Sequence, residues 1–384
     1  MKIFLVANTA WSLVNFRAGL MRALVANGHE VVAVAPFDEH AARIEALGVR
    51  FLALSMDNKG THPLRDLRLL LAFIKLFRRE RPDLVISYTI KPVIYASLAA
   101  RWLHVPAVSV VTGLGTVFLR ENLLTILVEW LYRVSQSRVQ KIFFLNEDDM
   151  QIFRERRLVP VALMERLPSE GVDLSHFSSD ETNPAFGECG VVAPPHRLRF
   201  LLMARLLWDK GVGEYVEAAR QVRQLYPDSQ FGLLGFLDAQ NQTAISRTQI
   251  DEWVQEGVVT YLGVTHDVRE AILYSDCVVL PSYREGISRT LLESAAMCRP
   301  IITTDVVGCR DVIEDGVTGY LCLPKDSDDL ASKIVQMIEL TPDERKQMGE
   351  QGRKKVEREF DERVVISRYF AVISSIATGK TAHV

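Results

Sequence analysis

The stretch REGISRTLLESA, Arg284 to Ala295, sets two glutamates eight residues apart with glycine, serine and threonine between them. Metal ligands on one helical face recur at i, i+3 or i+4. Eight residues of helix instead turn a side chain about 80° out of line and carry it roughly 12 Å along the axis. Glu285 and Glu293 are therefore expected to touch different parts of one long ligand. The segment reads as a strand, CVVLPS, then a loop, then a helix beginning near Ser288. Helix N-terminal amides attract anions, so Gly286, Ile287 and Ser288 are candidates for phosphate oxygens, with the glycine allowing close backbone approach. LLMARLLWDKGVGEYVEAARQV repeats the arrangement: a strand ending near Ala204, a loop with Arg205 and Lys210, and a helix from about Gly211. An arginine and a lysine beside a helix start supply full charges for a diphosphate. Singly, each residue has an ordinary reading as a solvated loop cation or a dipole-friendly carboxylate. Two anion-ready helix starts in one half of the chain point to a site.

The elements that position these residues alternate along all 384 residues, a length that implies two or three domains. In the first half the strand candidates are KIFLVAN, EVVAVAP, VRFLALS, DLVISY, AVSVVT and KIFFLN. In the second they are RFLLMA, QFGLLG, VVTYLG, CVVLPS, PIITT and GYLCL. Amphipathic stretches such as Phe16–Asn27 and Leu64–Glu80 lie between them. Continuous apolar runs joined by helical crossovers mean parallel sheets covered on both faces. The α/β pattern predicts two Rossmann-like, doubly wound domains, 1–175 and 176–360, with ligands in a crevice at the strand carboxyl ends. A C-terminal helix near 361–378 is expected to pack back on the first domain. The Pro- and Gly-rich Ser178–His196 reads as the linker.

Composition narrows the classes. Five scattered cysteines without a CxxC pair argue for reduced thiols and against a disulfide frame or zinc site. The apolar start ends at Asn8, too early for a signal peptide, and no apolar run approaches the ~20 residues of a membrane span, so a soluble, cytoplasmic chain is expected. Residues 1–175 carry 22 Lys+Arg against 17 Asp+Glu, and the remainder 23 against 31. That split is far from a nucleic-acid binder, yet it gives the first half a bias towards an anionic partner.

Arg205, Lys210 and the Glu285–x7–Glu293 spacing resemble the retaining glycosyltransferases of family 4, which have the GT-B fold. DGVTGYLCLPKDSDDLA, EGVDLSHF, VVTGLGTVF and NTAWSLVNFR are similar to segments of that family, the last two to its branch of capsule, O-antigen and protein-glycan enzymes. The resemblance implies that Glu293 accepts from the ribose hydroxyls of a UDP-sugar and that Glu285 holds hydroxyls of its sugar, a hexosamine with N-acetylgalactosamine the first candidate. Arg205 and Lys210 would then neutralise the diphosphate, with Glu285, Lys210 and Arg205 as the catalytic set. Gly115, in TGLG, would let backbone approach the sugar. Paired glycines common after the family's first strand are missing here, so Asn8 and Arg17 are candidates for contacting donor or acceptor phosphate, and Lys91, in SYTIKP at the end of another strand, lies at the crevice edge. All three are candidates for binding the acceptor, a saccharide on a polyprenyl diphosphate.

No metal or other cofactor is expected. The D-x-D in DSDDL precedes a helix, so Asp326 or Asp328 reads as a cap. His104 reads as a surface or turn residue. Two helices, Leu64–Asp83 with Arg65, Arg68, Lys75, Arg78 and Arg79, and Leu119–Arg138 with Trp130 and Tyr132, could rest on the inner face of a membrane as well as cover a sheet. The rival readings are a nucleotide-sugar 2-epimerase of the same architecture and a non-enzymatic two-lobed sugar-binding protein. The first needs acid–base pairs that the first half does not display. The second usually carries a secretion signal or a DNA-binding helix-turn-helix, and neither is visible. NAD chemistry is disfavoured by the missing G-x-G-x-x-G.

Overall fold

The computed structural model describes residues 1–57, 62–114, 123–178, 197–237, 241, 243–265 and 267–379. They form two units, 1–171 with 362–384 and 172–361.

The first unit runs β1 (Lys2–Val6), α1 (Ala10–Ala26), β2 (Glu30–Ala35), α2 (Ala41–Glu45), β3 (Arg50–Ala53), α3 (Pro63–Glu80) and β4 (Leu84–Tyr88). It continues with α4 (Ile90–Trp102), β5 (Ala107–Val111), α5 (Leu123–Ser135), β6 (Lys141–Phe144), α6 (Glu147–Glu155) and β7 (Met164–Arg166). The strands make one parallel sheet in the order β3-β2-β1-β4-β5-β6-β7. Strands covered on both faces bury every residue, and β4 and β5 do so throughout. β7 adds to the six expected strands. It is three residues long and only partly buried, too short for an apolar run to announce it.

The second unit runs β8 (Arg199–Met203), α7 (Val212–Leu225), β9 (Gln230–Leu234), α8 (Arg247–Gln255), β10 (Thr260–Tyr261), α9 (Arg269–Tyr274) and β11 (Cys277–Leu280). Then come α10 (Arg289–Ala296), β12 (Ile301–Thr304), β13 (Gly319–Cys322), α11 (Ser327–Glu339) and α12 (Pro342–Glu359). Its parallel sheet has the order β10-β9-β8-β11-β12-β13, with all six strands where the sequence suggested.

The chain crosses between units at Gly171–Val172 and returns at Asp361–Glu362, earlier than the expected 175/176 boundary. The reason is local: the Val172 amide donates to Phe360 O at 2.9 Å and Val172 bridges Asp361, so the second unit has captured the chain before Ser178. Residues 179–196, most of the expected linker, lie outside the described residues. The last helix, α13 (Glu362–Ala377), belongs to the first unit. It buries Val365, Tyr369 and Ile373, with Tyr369 edge-on to Phe143 at 5.4 Å.

Each sheet reverses its strand order between its first and fourth strands. Loops leaving neighbouring strands there run in opposite directions and open a space for a ligand. In the second unit that switch point lies between β8 and β11, and in the first between β1 and β4.

Candidate active site

The loop after β8 carries Arg205 and, in a short 3-10 turn, Lys210; the loop after β11 carries Glu285. Backbone contacts zip the two loops together. The Tyr283 amide donates to Asp209 O at 2.9 Å, and Ser282 Oγ donates to the same oxygen at 3.3 Å. Gly211, at φ +71°, lets them meet, since a Cβ there would stand 2.0 Å from Pro281 O. A third loop, after β12, clamps the second: Glu285 N donates to Val307 O and Ser288 N to Gly308 O, both at 3.0 Å. Gly308, at φ +78°, would put a Cβ 2.5 Å from Glu285 O. Backbone on both sides therefore fixes Glu285.

The clamped geometry brings Lys210 Nζ onto the Glu285 carboxylate, each side chain 16% exposed. On the loop that carries Glu285, Tyr283 Oη donates to Glu214 Oε1 of α7 at 2.6 Å, bracing that loop against the helix. Burial first, and the Glu214 contact second, push the Tyr283 phenol well up, so it stays a donor. Arg205 is exposed on the same loop as Lys210. Glu293 lies one turn and a half into α10, its side chain 13% exposed and joined by Arg289 Nε at 2.6 Å. Burial raises the Glu293 carboxyl above its ordinary range, and the Arg289 charge opposes that rise. This site can hold an extended ligand, with anionic groups against Lys210 and Arg205 and hydroxyls against the two carboxylates.

Ser288 needs correction. Its amide is spent on Gly308 O and its hydroxyl accepts from Leu291 N, so it caps α10 and is not a phosphate donor. Gly286 and Ile287 are half-buried on the same loop. Asp326 is a cap as expected, accepting from the amides of Asp328 and Asp329, while Asp328 accepts from Gln221. Among the described residues no three His, Cys, Asp or Glu side chains gather as metal ligands.

At the first unit's switch point, Asn8 follows β1 and is half-buried, and Lys91 opens α4 with Nζ 2.9 Å from Asp66. Thr89, between β4 and α4, holds φ +65° and ψ 159°, a conformation costly for a β-branched residue. Arg17 departs from its expectation as an acceptor contact. Its side chain is 3% exposed, donates to Ser12 O and Glu170, and stacks on Tyr88 with 4.2 Å to the ring centroid. An arginine so enclosed ties α1 and β4 to the end of the unit rather than meeting a ligand. Gly115 lies outside the described residues. His104 is an exposed turn residue.

On α3, Leu64, Leu67 and Leu71 are more than half exposed, amid exposed Arg65, Arg68 and Lys75. On α5, Ile126, Leu127 and Trp130 are exposed, but Tyr132 is 1% exposed against Phe153 in the core and cannot serve as an interfacial aromatic. No helix among the described residues is long and apolar enough to cross a membrane.

Arg289 and the Glu214–Tyr283 brace escaped the sequence reading. The i, i+4 spacing of Arg289 and Glu293 was a visible signal. Nothing local links Tyr283 to Glu214, 69 positions earlier.

Solved structures share this two-sheet plan over almost the whole chain, which defines the fold as GT-B. A glycosyltransferase from Rickettsia africae superposes with a TM-score of 0.77 at 16% identity, covering 98% of both chains. Anabaena HepE in complex with UDP and glucose gives 0.76 at 17% identity, covering 98% of this chain and 100% of that one. The Glycosyl transferase 4-like domain matches residues 14–170 and Glycosyl transferases group 1 matches 192–355. The chain belongs to the family 4 glycosyltransferases. It is 26% identical over 387 aligned positions to the N,N'-diacetylbacillosaminyl-diphospho-undecaprenol alpha-1,3-N-acetylgalactosaminyltransferase of Campylobacter jejuni, covering 98% of this chain and 99% of the relative. It is 24% identical to the Escherichia coli UDP-Gal:alpha-D-GlcNAc-diphosphoundecaprenol alpha-1,3-galactosyltransferase, covering 72% of this chain and 71% of that enzyme.

Proposed function

We propose that this enzyme moves a hexosamine, with N-acetylgalactosamine the first candidate, from a UDP-sugar to a saccharide carried on a polyprenyl diphosphate, with retention at the anomeric carbon. The observation that carries the reading is the Lys210–Glu285 contact at the β8/β11 switch point, with Glu293 in the helix α10 that follows the Glu285 loop. That line of charge suits a sugar, a diphosphate and a ribose in succession. The choice of acceptor is supported by the two relatives, whose names both specify undecaprenyl-diphosphate sugars. The choice of hexosamine leans on the Campylobacter jejuni enzyme, which aligns over nearly all of both chains.

In this reading Glu293 accepts from the ribose hydroxyls and Glu285 from the sugar hydroxyls, while Gly286 and Ile287 line the phosphate approach. Lys210 and Arg205 stabilise the charge that collects on the departing diphosphate, which is where preorganised cations lower a barrier most. The bond from the sugar C1 to the phosphate oxygen breaks and a bond from the acceptor oxygen to C1 forms. The acceptor proton passes to the leaving diphosphate, and UDP departs. The first domain is the acceptor side, with Asn8 and Lys91 the remaining candidates once Arg17 is withdrawn. Contact with the inner membrane face is supported by the Leu64, Leu67, Leu71 stripe among arginines and by Trp130. Epimerase and sugar-receptor readings lose ground because both matching families are glycosyltransferases.

The test offers a panel of UDP-sugars with a lipid-diphosphate saccharide and, separately, the same saccharide without lipid or phosphate, and reads products by mass. Addition of one N-acetylhexosamine to the lipid-linked acceptor supports the reading. Equal rates on both acceptors, with the protein entirely in the high-speed supernatant at low salt, would remove the lipid and membrane parts.

A further inference from the structure

Helix α10 opens with a residue that its own electrostatics disfavour. Arg289 occupies the first position after the Ser288 cap, where the helix dipole favours an anion, and the first turn holds no acidic residue. Its partner Glu293 follows at i+4, the weaker of the two orders for a helical ion pair. Something other than helix stability accounts for an arginine there.

Glu293 supplies the reason. Its side chain is 13% exposed and rooted between Leu292 and Ser294, both essentially buried. A carboxylate so placed favours its neutral form unless a cation faces it. The charged groups around it come from three elements. Arg289 stands at 2.6 Å on the same helix. Asp267, before α9, acts in the opposite sense, raising the Glu293 carboxyl further, though Arg269 Nε binds both Asp267 oxygens at 2.9 and 3.1 Å. His176, beyond the first crossover, lies near Arg289, Arg269 and Asp267, and burial lowers its imidazole, which leaves it neutral near pH 7. Arg289 is thus the cation that acts on Glu293 directly.

We infer that Arg289 is a positioning residue for donor recognition: it holds the Glu293 carboxylate as an anion turned to accept both hydroxyls of the nucleotide ribose. The inference rests on the ribose role proposed for Glu293. A ribose diol offers two donors, which a carboxylate can accept together, whereas a carboxylic acid keeps one oxygen as a donor. Without Arg289 the group takes up a proton at higher pH, and the site stops distinguishing a ribose from a dideoxyribose.

The experiment measures binding of UDP and of 2′,3′-dideoxy-UDP across pH 5 to 9, by calorimetry, for the parent protein, Arg289→Gln, Arg289→Lys and Glu293→Gln. Two hydrogen bonds to a charged acceptor should give the parent a preference for UDP of about tenfold or more at neutral pH, lost as pH falls. Arg289→Gln should lose that preference at neutral pH and recover it at higher pH, while Arg289→Lys keeps a profile closer to the parent's. Glu293→Gln should lack the preference at every pH. A merely structural role for Arg289 would lower affinity for both nucleotides alike without moving the profile. An Arg289→Gln preference that follows the parent's pH profile overturns the inference. Absence of any preference in the parent overturns the ribose reading beneath it.

Discussion

Replacing Lys210 by methionine keeps the apolar stem of the side chain and removes its ammonium group. Lys210 sits at 16% exposure against an equally enclosed Glu285, so solvent screens it only in part. At an effective dielectric near 20, a unit charge about 4 Å away is worth about 4 kcal/mol. Loss of one preorganised group facing developing charge typically costs 10²–10³-fold in turnover, or about 3–4 kcal/mol, and the same scale is expected here. The fold also suffers, because Glu285 loses its counter-charge. Breaking a fully buried pair costs about 3–5 kcal/mol, and discounting for partial exposure leaves about 1–2 kcal/mol, or a few degrees of melting temperature for a unit of this size. The two effects separate in the double variant Lys210→Met with Glu285→Gln. It should regain most of the melting temperature and none of the turnover, because no unpaired charge remains while the diphosphate still lacks its cation. The assay is single-turnover transfer from a saturating UDP-sugar, read by product mass, beside calorimetric melting of each variant. A folded Lys210→Met enzyme that turns over within about threefold of the parent would refute the reasoning, since no electrostatic role of this size could then exist.

Three further outcomes follow from the same geometry. Gly308→Ala should lower both melting temperature and turnover, because its Cβ would stand 2.5 Å from Glu285 O at a φ of +78°, whereas Gly316→Ala, with an equally positive φ of +74° and nothing within 4 Å, should cost stability alone; turnover is the deciding measurement. Arg17→Met should lower the melting temperature by several degrees, since it removes the ion pair with Glu170 and the stack on Tyr88, while the KM for the donor stays within about twofold; a folded variant with a large KM change would restore Arg17 to the site. Activity should survive exhaustive chelation, Lys210 and Arg205 supplying the positive charge; activity lost to chelator and restored by Mn²⁺ would turn Asp326, the cap of α11, and Asp328 into ligands.

Much of the fold was legible because parallel sheets buried on both faces leave apolar runs. Twelve of the strands announced themselves that way, and β7, three residues with one buried, did not. The switch points were legible only once strand order was known, since alternation fixes the class and not the order. Within the site, Glu285, Glu293 and Lys210 were found by type and spacing. The errors at Ser288 and Arg17 share one cause, a partner remote in sequence. Ser288 looked ready for an anion until its amide met Gly308, twenty positions on, and Arg17 looked like a ligand contact until it met Glu170, 153 positions on. Tyr132 erred differently: one step round α5 from exposed residues, it faces Phe153 instead. Arg289 was within reach of the i, i+4 rule and escaped because the two glutamates drew the reading past it.

The most direct measurement is a crystal structure of the protein with UDP-N-acetylgalactosamine. The account predicts the nucleotide at the carboxyl ends of β8 and β11, with both ribose hydroxyls about 3 Å from Glu293, the diphosphate against Lys210 and Arg205, and the sugar hydroxyls on Glu285. A nucleotide bound elsewhere, or at that place with its ribose away from Glu293 and its phosphates away from Lys210, would contradict it.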